Sequence, residues 1–256
     1  MATKGVFITG ASCKDLLLFF SVHFFFSRSP CFLPLVVVVI VAGIGLALAR
    51  EFAKTGEYNL ALVARRVDKL NEIKQELVTQ YPSIKVEFRE LDVTNYDRVA
   101  PVFNELAQAI GGIDIVIANS GVFTSGQVGT GEIAKSKQVI DVNFTGAVVT
   151  VDAAVEYFKK RGTGHVVGIS SVVSFRGAPG LSVYAATKAA LNLYLDVLDQ
   201  ELRQANITVT TIYPGLTESE MTKGLTSPHI ISAEASAQQI VGHIKAKAIQ
   251  AMVPLL

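Results

Sequence analysis

Six times along the chain a short, largely apolar run gives way to a helical stretch, and this alternation constrains the fold more than any other feature. Val6–Ile8, Asn59–Ala64, Val86–Leu91, Ile113–Ala118, His165–Ser170 and Ile207–Tyr213 read as strands. Ile44–Lys54, Val67–Tyr81, Asp97–Ile110, Glu132–Lys160, Ser182–Ala205 and Ala233–Gln250 read as helices, several of them closed by Gly or Pro. The strands do not alternate apolar with polar, as expected where helices cover both faces of a parallel sheet. The pattern predicts an α/β fold, a doubly wound parallel sheet in three layers. No linker rich in Pro, Gly or Ser and no repeat divides residues 1–256, which therefore read as one domain. Ligands of such sheets bind beyond the carboxyl ends of the strands. Here those ends are Thr9-Gly10, Ala64-Arg65, Asp92-Val93, Asn119-Ser120-Gly121, Ser170-Ser171 and Pro214-Gly215, all small or polar clusters.

The first strand leads into Thr9-Gly10-Ala11-Ser12, and the first helix opens with Gly43-Ile44-Gly45. Joined, the halves read T-G-x-x-G-x-G. Such a turn lets the backbone approach a pyrophosphate and presents the N–H groups and positive dipole end of a helix. An NAD site places an acidic residue about 20 positions further on, against the ribose 2′-hydroxyl. This chain has Arg65 there, then Arg66, with no carboxylate before Asp68. A guanidinium holds a 2′-phosphate by paired hydrogen bonds, which favours NADP(H) over NAD(H). Asp92 can accept from an adenine amino group or cap the following helix.

Tyr184 and Lys188 are four residues apart near the start of a helix, so phenol and ammonium share a face. A neighbouring Lys⁺ lowers a phenol pKa and makes it a usable acid or base. Ser171, thirteen residues before Tyr184, ends the fifth strand and faces the same crevice, where its hydroxyl can stabilise a substrate oxygen. Its neighbour Ser170 is the less suitable of the two by strand-end spacing. Asn143 interrupts an otherwise apolar or small stretch of helix. A buried amide there needs partners, and a water linking it to Lys188 would satisfy it.

Thr9-Gly10-Ala11-Ser12, Gly43-Ile44-Gly45, Asp92-Val93, Asn119-Ser120-Gly121, Asn143, Ser171, Tyr184-x-x-x-Lys188 and Pro214-Gly215, in this order, resemble the short-chain dehydrogenase/reductase family, in its NADP-preferring branch. The resemblance implies a Rossmann-type fold, a nicotinamide cofactor and a catalytic tetrad of Asn143, Ser171, Tyr184 and Lys188. It also implies that Lys188 bonds the nicotinamide ribose, and that Thr217 and Ser219, after Pro214-Gly215, contact the carboxamide. The expected activity is NADPH-dependent reduction of a ketone or aldehyde, reversible as alcohol oxidation, in a homodimer or homotetramer. Substrate choice is expected in Val122–Gly131 and Leu216–Ile231. Ser120 replaces the family's usual Ala. The chain ends soon after the last helix, where the family adds a seventh strand, and Met252-Val253-Pro254 reads as its beginning.

Other classes find less support. Net charge is +1 and charge runs are absent, which gives no electrostatic case for nucleic acid or an anionic membrane. The four histidines are scattered, so no metal site is expected. Gly168-Ile169-Ser170-Ser171-Val172 lacks the second glycine of a hydrolase nucleophile elbow. Met1–Gly10 has no charged-then-apolar signal pattern, and a cytoplasmic location is expected. Ser29–Ala49 has the length and hydropathy of a membrane span. Using it so would consume the phosphate-binding helix and detach the first strand, which disfavours a membrane-anchored reductase.

Cys13–Ala42 fits neither half of the glycine turn and holds both cysteines of the chain. It is rich in Phe, Leu, Ser and Pro, whose codons are rich in pyrimidines. Cys13-Lys14 can be written TGT-AAG, containing the intron donor GTAAG, and Val41-Ala42 can be written with an acceptor AG. Excision leaves T joined to CN, a serine codon, and restores Thr-Gly-Ala-Ser-Ser-Gly-Ile-Gly in frame. The block therefore reads as a retained intron. With it in place, cofactor binding is expected to be impaired, leaving a nucleotide-binding protein without turnover as the alternative.

Overall fold

The computed structural model of the chain describes residues 35–39, 43–124 and 128–253. Seven strands form one sheet: β1 (Leu35–Val39), β2 (Asn59–Ala64), β3 (Val86–Glu90), β4 (Ile115–Ala118), β5 (Gly164–Ile169), β6 (Ile207–Pro214) and β7 (Gln250–Val253). Their order is β3-β2-β1-β4-β5-β6-β7, and every neighbouring pair is parallel. The connecting helices are α1 (Ile44–Thr55), α2 (Val67–Gln80), α3 (Tyr96–Ile110), α4 (Ile133–Ile140), α5 (Gly146–Arg161), α6 (Ser182–Leu202) and α7 (Ala233–Lys245).

Successive residues of a strand point to opposite faces, and here both faces are covered. Leu60 and Leu62 of β2 join a core with Phe52 of α1, Leu70 of α2 and Ile240 of α7. Ala61 and Val63 join a second core with Leu106 of α3, Val151 of α5 and Leu191 of α6. This is the three-layer α/β, Rossmann-type arrangement. The winding reverses between β1 and β4, the place where such sheets open a crevice. At Gly168 a Cβ would stand 2.2 Å from Leu195 Cδ1, so glycine lets α6 lie directly on β5.

Three local expectations are corrected. The central strand is not drawn from Val6–Ile8, which lies outside the described residues; β1 is Leu35–Val39, from within the stretch 13–42 set aside above. It pairs with β2 from Leu35↔Asn59 to Val39↔Val63. A Val-rich run just ahead of a helix has the composition of a parallel strand covered on both faces. The same finding breaks up Ser29–Ala49 as a span, since it contains β1 and the start of α1. The helix expected over Glu132–Lys160 is interrupted by one π turn, Asp141–Thr145. The last helix stops at Lys245 instead of Gln250: Lys247 turns the chain at φ 52°, and β7 adds a seventh strand beside β6. Among the described residues Ile133–Arg161 is long and apolar enough to cross a membrane, but Val151, Ala154 and Phe158 of that run are buried in the domain core.

Candidate active site

Helix α6 begins just after a short loop and carries Tyr184, Lys188 and Asn192 at successive turns of one face. Lys188 is 3% exposed, and its Nζ donates to the Ile169 carbonyl at the end of β5, 2.8 Å away. Burial lowers its pKa to about 8. The same ammonium lies 5.9 Å from the centre of the Tyr184 ring. Burial pushes the Tyr184 phenol up, and a hydrogen bond with Ser171 pulls it partly back. A lowered phenol was expected from Lys188; here burial outweighs such an effect and the net direction is upward. The ring is buried, and the lysine spends a proton on a backbone carbonyl. Tyr184 is consequently held in its proton-bearing form.

Ser171 follows β5 in extended conformation and opens a single 3-10 turn, Val172–Ser174, accepting from the Val173 N–H at 3.4 Å. Ser170 points the other way, donating to the Lys188 carbonyl at 3.3 Å and to Asn192 Oδ1. Asn192 in turn donates to Ser174 Oγ at 2.7 Å, and Ser174 Oγ donates to the Ser171 carbonyl at 2.5 Å. One amide on α6 thus clamps the turn that presents Ser171. Sequence reasoning missed Asn192. The signal was its position four residues beyond Lys188, continuing the polar stripe of that face.

Asn143 sits in the π turn and is 0% exposed. Its Oδ1 accepts from Val122 N at 2.7 Å, and its Nδ2 donates to Val122 O at 2.9 Å and Thr187 Oγ1 at 3.4 Å. The amide pairs with the chain after β4 as a neighbouring strand would, and the extra residue of the π turn accompanies this pairing. Its protein partners are Val122 and Thr187. Gly121 separates the amide from Lys188: a Cβ there would lie 3.8 Å from both Asn143 Oδ1 and Lys188 Nζ.

Two cavities open beyond the strand ends, on either side of β1. One, about 200 Å³, is lined by Ile44, Asn119, Gly121, Ser171, Tyr184, Lys188 and by Pro214, Gly215, Thr217 and Ser219 after β6. The other, about 300 Å³, is lined by Arg65, Arg66, Asp92, Val93 and Ser120. Arg65 Nη1 stands 3.8 Å from Asp92 Oδ2. Burial pushes the Asp92 carboxyl up, but hydrogen bonds from Thr94 and the nearby Arg65 outweigh it, and the net pKa is lowered. Asp92 Oδ1 takes both Thr94 donors, N at 2.9 Å and Oγ1 at 2.7 Å. It does not cap α3, whose N-cap position is Asn95. Between the cavities, Gly43 caps α1 at φ 57° with no acidic residue in the first helical turn. A Cβ at Gly43 would come 2.8 Å from Ser219 Cβ, so only glycine lets the helix end meet the 217–222 turn. This helix end, without a side-chain cap among the described residues, has a basic cavity and a polar one beside it and can hold a long, two-headed anion. Thr9, Gly10 and Ser12 lie outside the described residues. Among the described residues no group of His, Cys, Asp or Glu could hold a metal ion.

A doubly wound parallel sheet with Ser, Tyr and Lys converging beyond β5 defines a class of dinucleotide-type oxidoreductases. The short chain dehydrogenase family matches residues 35–229, and the chain belongs to that family and is an oxidoreductase of it. An uncharacterised oxidoreductase of Mycobacterium tuberculosis is 40% identical over 215 residues, covering 83% of this chain and 85% of that protein. One from Myxococcus xanthus is 36% identical over 181 residues, covering 71% and 70%. Among solved structures, a short-chain dehydrogenase from Sphingobium yanoikuyae in complex with NADPH superposes with a TM-score of 0.79 at 28% identity, over 87% of this chain and 89% of that one. An alcohol dehydrogenase from Thermococcus sibiricus complexed with 5-hydroxy-NADP gives 0.78 at 25% identity, over 86% and 95%.

Proposed function

We propose that the protein is an NADPH-dependent reductase of ketones or aldehydes, working reversibly as an alcohol dehydrogenase. The observation that carries this reading is the convergence of Ser171, Tyr184 and Lys188 on one cavity. The Sphingobium and Thermococcus relatives, with NADPH and a modified NADP bound, support the cofactor. Gly43, Ile44 and Gly45 would receive the diphosphate at the α1 N-terminus. Arg65 would hold the 2′-phosphate, with Asp92, Val93, Asn119, Ser120 and Gly121 around the adenosine half, and Lys188, Pro214, Gly215, Thr217 and Ser219 around the nicotinamide half. When bound, the cofactor supplies or accepts the hydride.

The chain's own residues handle the proton. Ser171 donates a hydrogen bond to the carbonyl oxygen and holds it beside Tyr184. The phenol, kept protonated by burial, gives its proton to that oxygen as charge develops there. The Lys188 ammonium beside the ring stabilises the phenolate left behind. Asn143 keeps the chain after β4 in place. Reduction of a ketone and aldehyde panel, followed by loss of NADPH absorbance, tests the reading. Arg65→Leu should raise KM for NADPH by ~10-fold or more while leaving NADH little changed. Absence of both turnover and cofactor binding in the intact enzyme rejects the reductase.

One observation bears on the alternative, nucleotide binding without turnover in the chain that carries residues 13–42. In the joined sequence Gly10 stands four places before Gly43; in the printed chain that place is Val39, the last paired residue of β1. We propose that residues 13–42 are a retained intron. Sequencing cDNA across the junction tests this; transcripts carrying the block throughout, with the matching peptide detected, refute it. A cytoplasmic location and a homodimer or homotetramer complete the proposal. The apolar groove of Phe144, Leu193, Tyr194 and Val197 suits a second copy, and light scattering on the purified protein tests it.

A further inference from the structure

Resting on the reductase reading, we infer that the substrate is a neutral carbonyl compound, or its alcohol, carried on an apolar ring or chain. Opposite Lys188 the cavity wall is Phe123, Val173, Leu181, Met221 and Leu225. Lys188 is the one charged residue lining it among the described residues, and its ammonium lies on the reacting side beside Tyr184, donating to the Ile169 carbonyl.

The segments that build the wall explain this. Residues 119–131 contain no Asp, Glu, Lys, Arg or His at all. Residues 171–183 contain one charge, Arg176, which is exposed and outside the wall. In 214–231, Glu218, Glu220, Lys223 and His229 are all exposed, and none lines the cavity. Thr222, the polar residue next to Met221, is spent inside its own turn: it accepts from Ser219 N at 2.9 Å and donates to the Thr217 carbonyl at 2.8 Å.

A carboxylate, phosphate or ammonium held against this apolar wall would lose hydration with no charged wall residue beside it. An apolar substituent gains by leaving water. Phe123 stands edge-on to Tyr184, ring centres 5.6 Å apart at 89°, and presents an aromatic wall directly beside the reacting phenol. At the rim Met221 is 42% and Leu225 57% exposed, an apolar lip that the tail of a substrate longer than the cavity would cover.

The test uses the full chain and, in parallel, the chain joined from Ser12 to Gly43 through one serine, each with NADPH. Acetophenone is compared with its ring carboxylate, acetylbenzoate, and methyl hexyl ketone with its ω-carboxylate. We expect kcat/KM to favour each neutral member by ~100-fold or more. Leu225→Arg, at an exposed position where folding is little disturbed, should raise kcat/KM for acetylbenzoate by ~10-fold or more. Equal or inverted preference, or no response to Leu225→Arg, overturns the inference while leaving a working reductase. No reduction of any carbonyl by either chain overturns the reductase reading itself.

Discussion

Lys188 keeps an ammonium inside the protein, and burial lowers its pKa from an ordinary 10.5 to about 8. The sign follows from proton counting. Between about 8 and 10.5 the unfolded chain holds a proton that the native state lacks, so stability rises with pH across that window. Below it both states are charged, and the full cost of burial applies. Lys188→Met should therefore raise Tm by several degrees at neutral pH, with the gain shrinking toward ~pH 10, while activity falls by ~1,000-fold or more. Melting curves at the two pH values check this; an equal gain at both would contradict it. Asn192 makes a different demand. Asn192→Leu frees the turn behind Ser171, and kcat should fall ~10-fold or more with KM for NADPH unchanged. A change in both constants would mean the helix itself had moved. The Tyr184–Lys188 pair was legible because i, i+4 spacing is a property of one helix. The Asn192 clamp was not, because its partners Ser170 and Ser174 come from the end of another element.

At the scale of elements, β5, β6 and the approach to β7 are tied by one buried polar chain. His165 Nε2 lies 2.8 Å from Thr210 Oγ1, and Thr210 donates to the Ala248 carbonyl at 2.5 Å. Because the hydroxyl proton goes to Ala248, the histidine is the donor to Thr210, which assigns its neutral tautomer. Burial lowers its pKa from 6.5 to about 4. The stability this neutral form contributes is present above pH 6.5 and lost as pH falls toward 4, since the unfolded chain takes the proton first. The loss is roughly 3 kcal/mol. His165→Asn should flatten that acid limb in urea titrations; an unchanged limb would assign the loss to carboxylates instead. Most helices and strands were legible from apolar period and Gly stops. The π turn was not, since one inserted residue leaves the helical period of the flanks intact. The seventh strand was anticipated at Met252-Val253, but its start at Gln250 was not, because the helical pattern was read through to that residue.

At the scale of the molecule, the layered sheet was foreseeable from six apolar runs, but the occupant of its middle was not. Glycines point to one segment and hydropathy to another, and the structure seats Leu35–Val39 between β2 and β4. Excising residues 13–42 and joining Ser12 to Gly43 through serine should tighten NADPH binding by ~10-fold or more, read as enhancement of cofactor fluorescence. Equal affinity in the two chains would show that the turn tolerates Val39 in place of glycine.

The β1 place has a further consequence for how a cell would handle such a chain. A central parallel strand is selected for being extended and apolar, whereas the turn after it is selected for lacking side chains. Chaperones and proteases inspect exposed apolar surface and have no means of reading a missing glycine. A chain that offered the sheet a valine run but lacked the glycine after it would therefore evade that inspection. Such a fault would be silent at the level of protein abundance and visible only to an assay that asks for the cofactor.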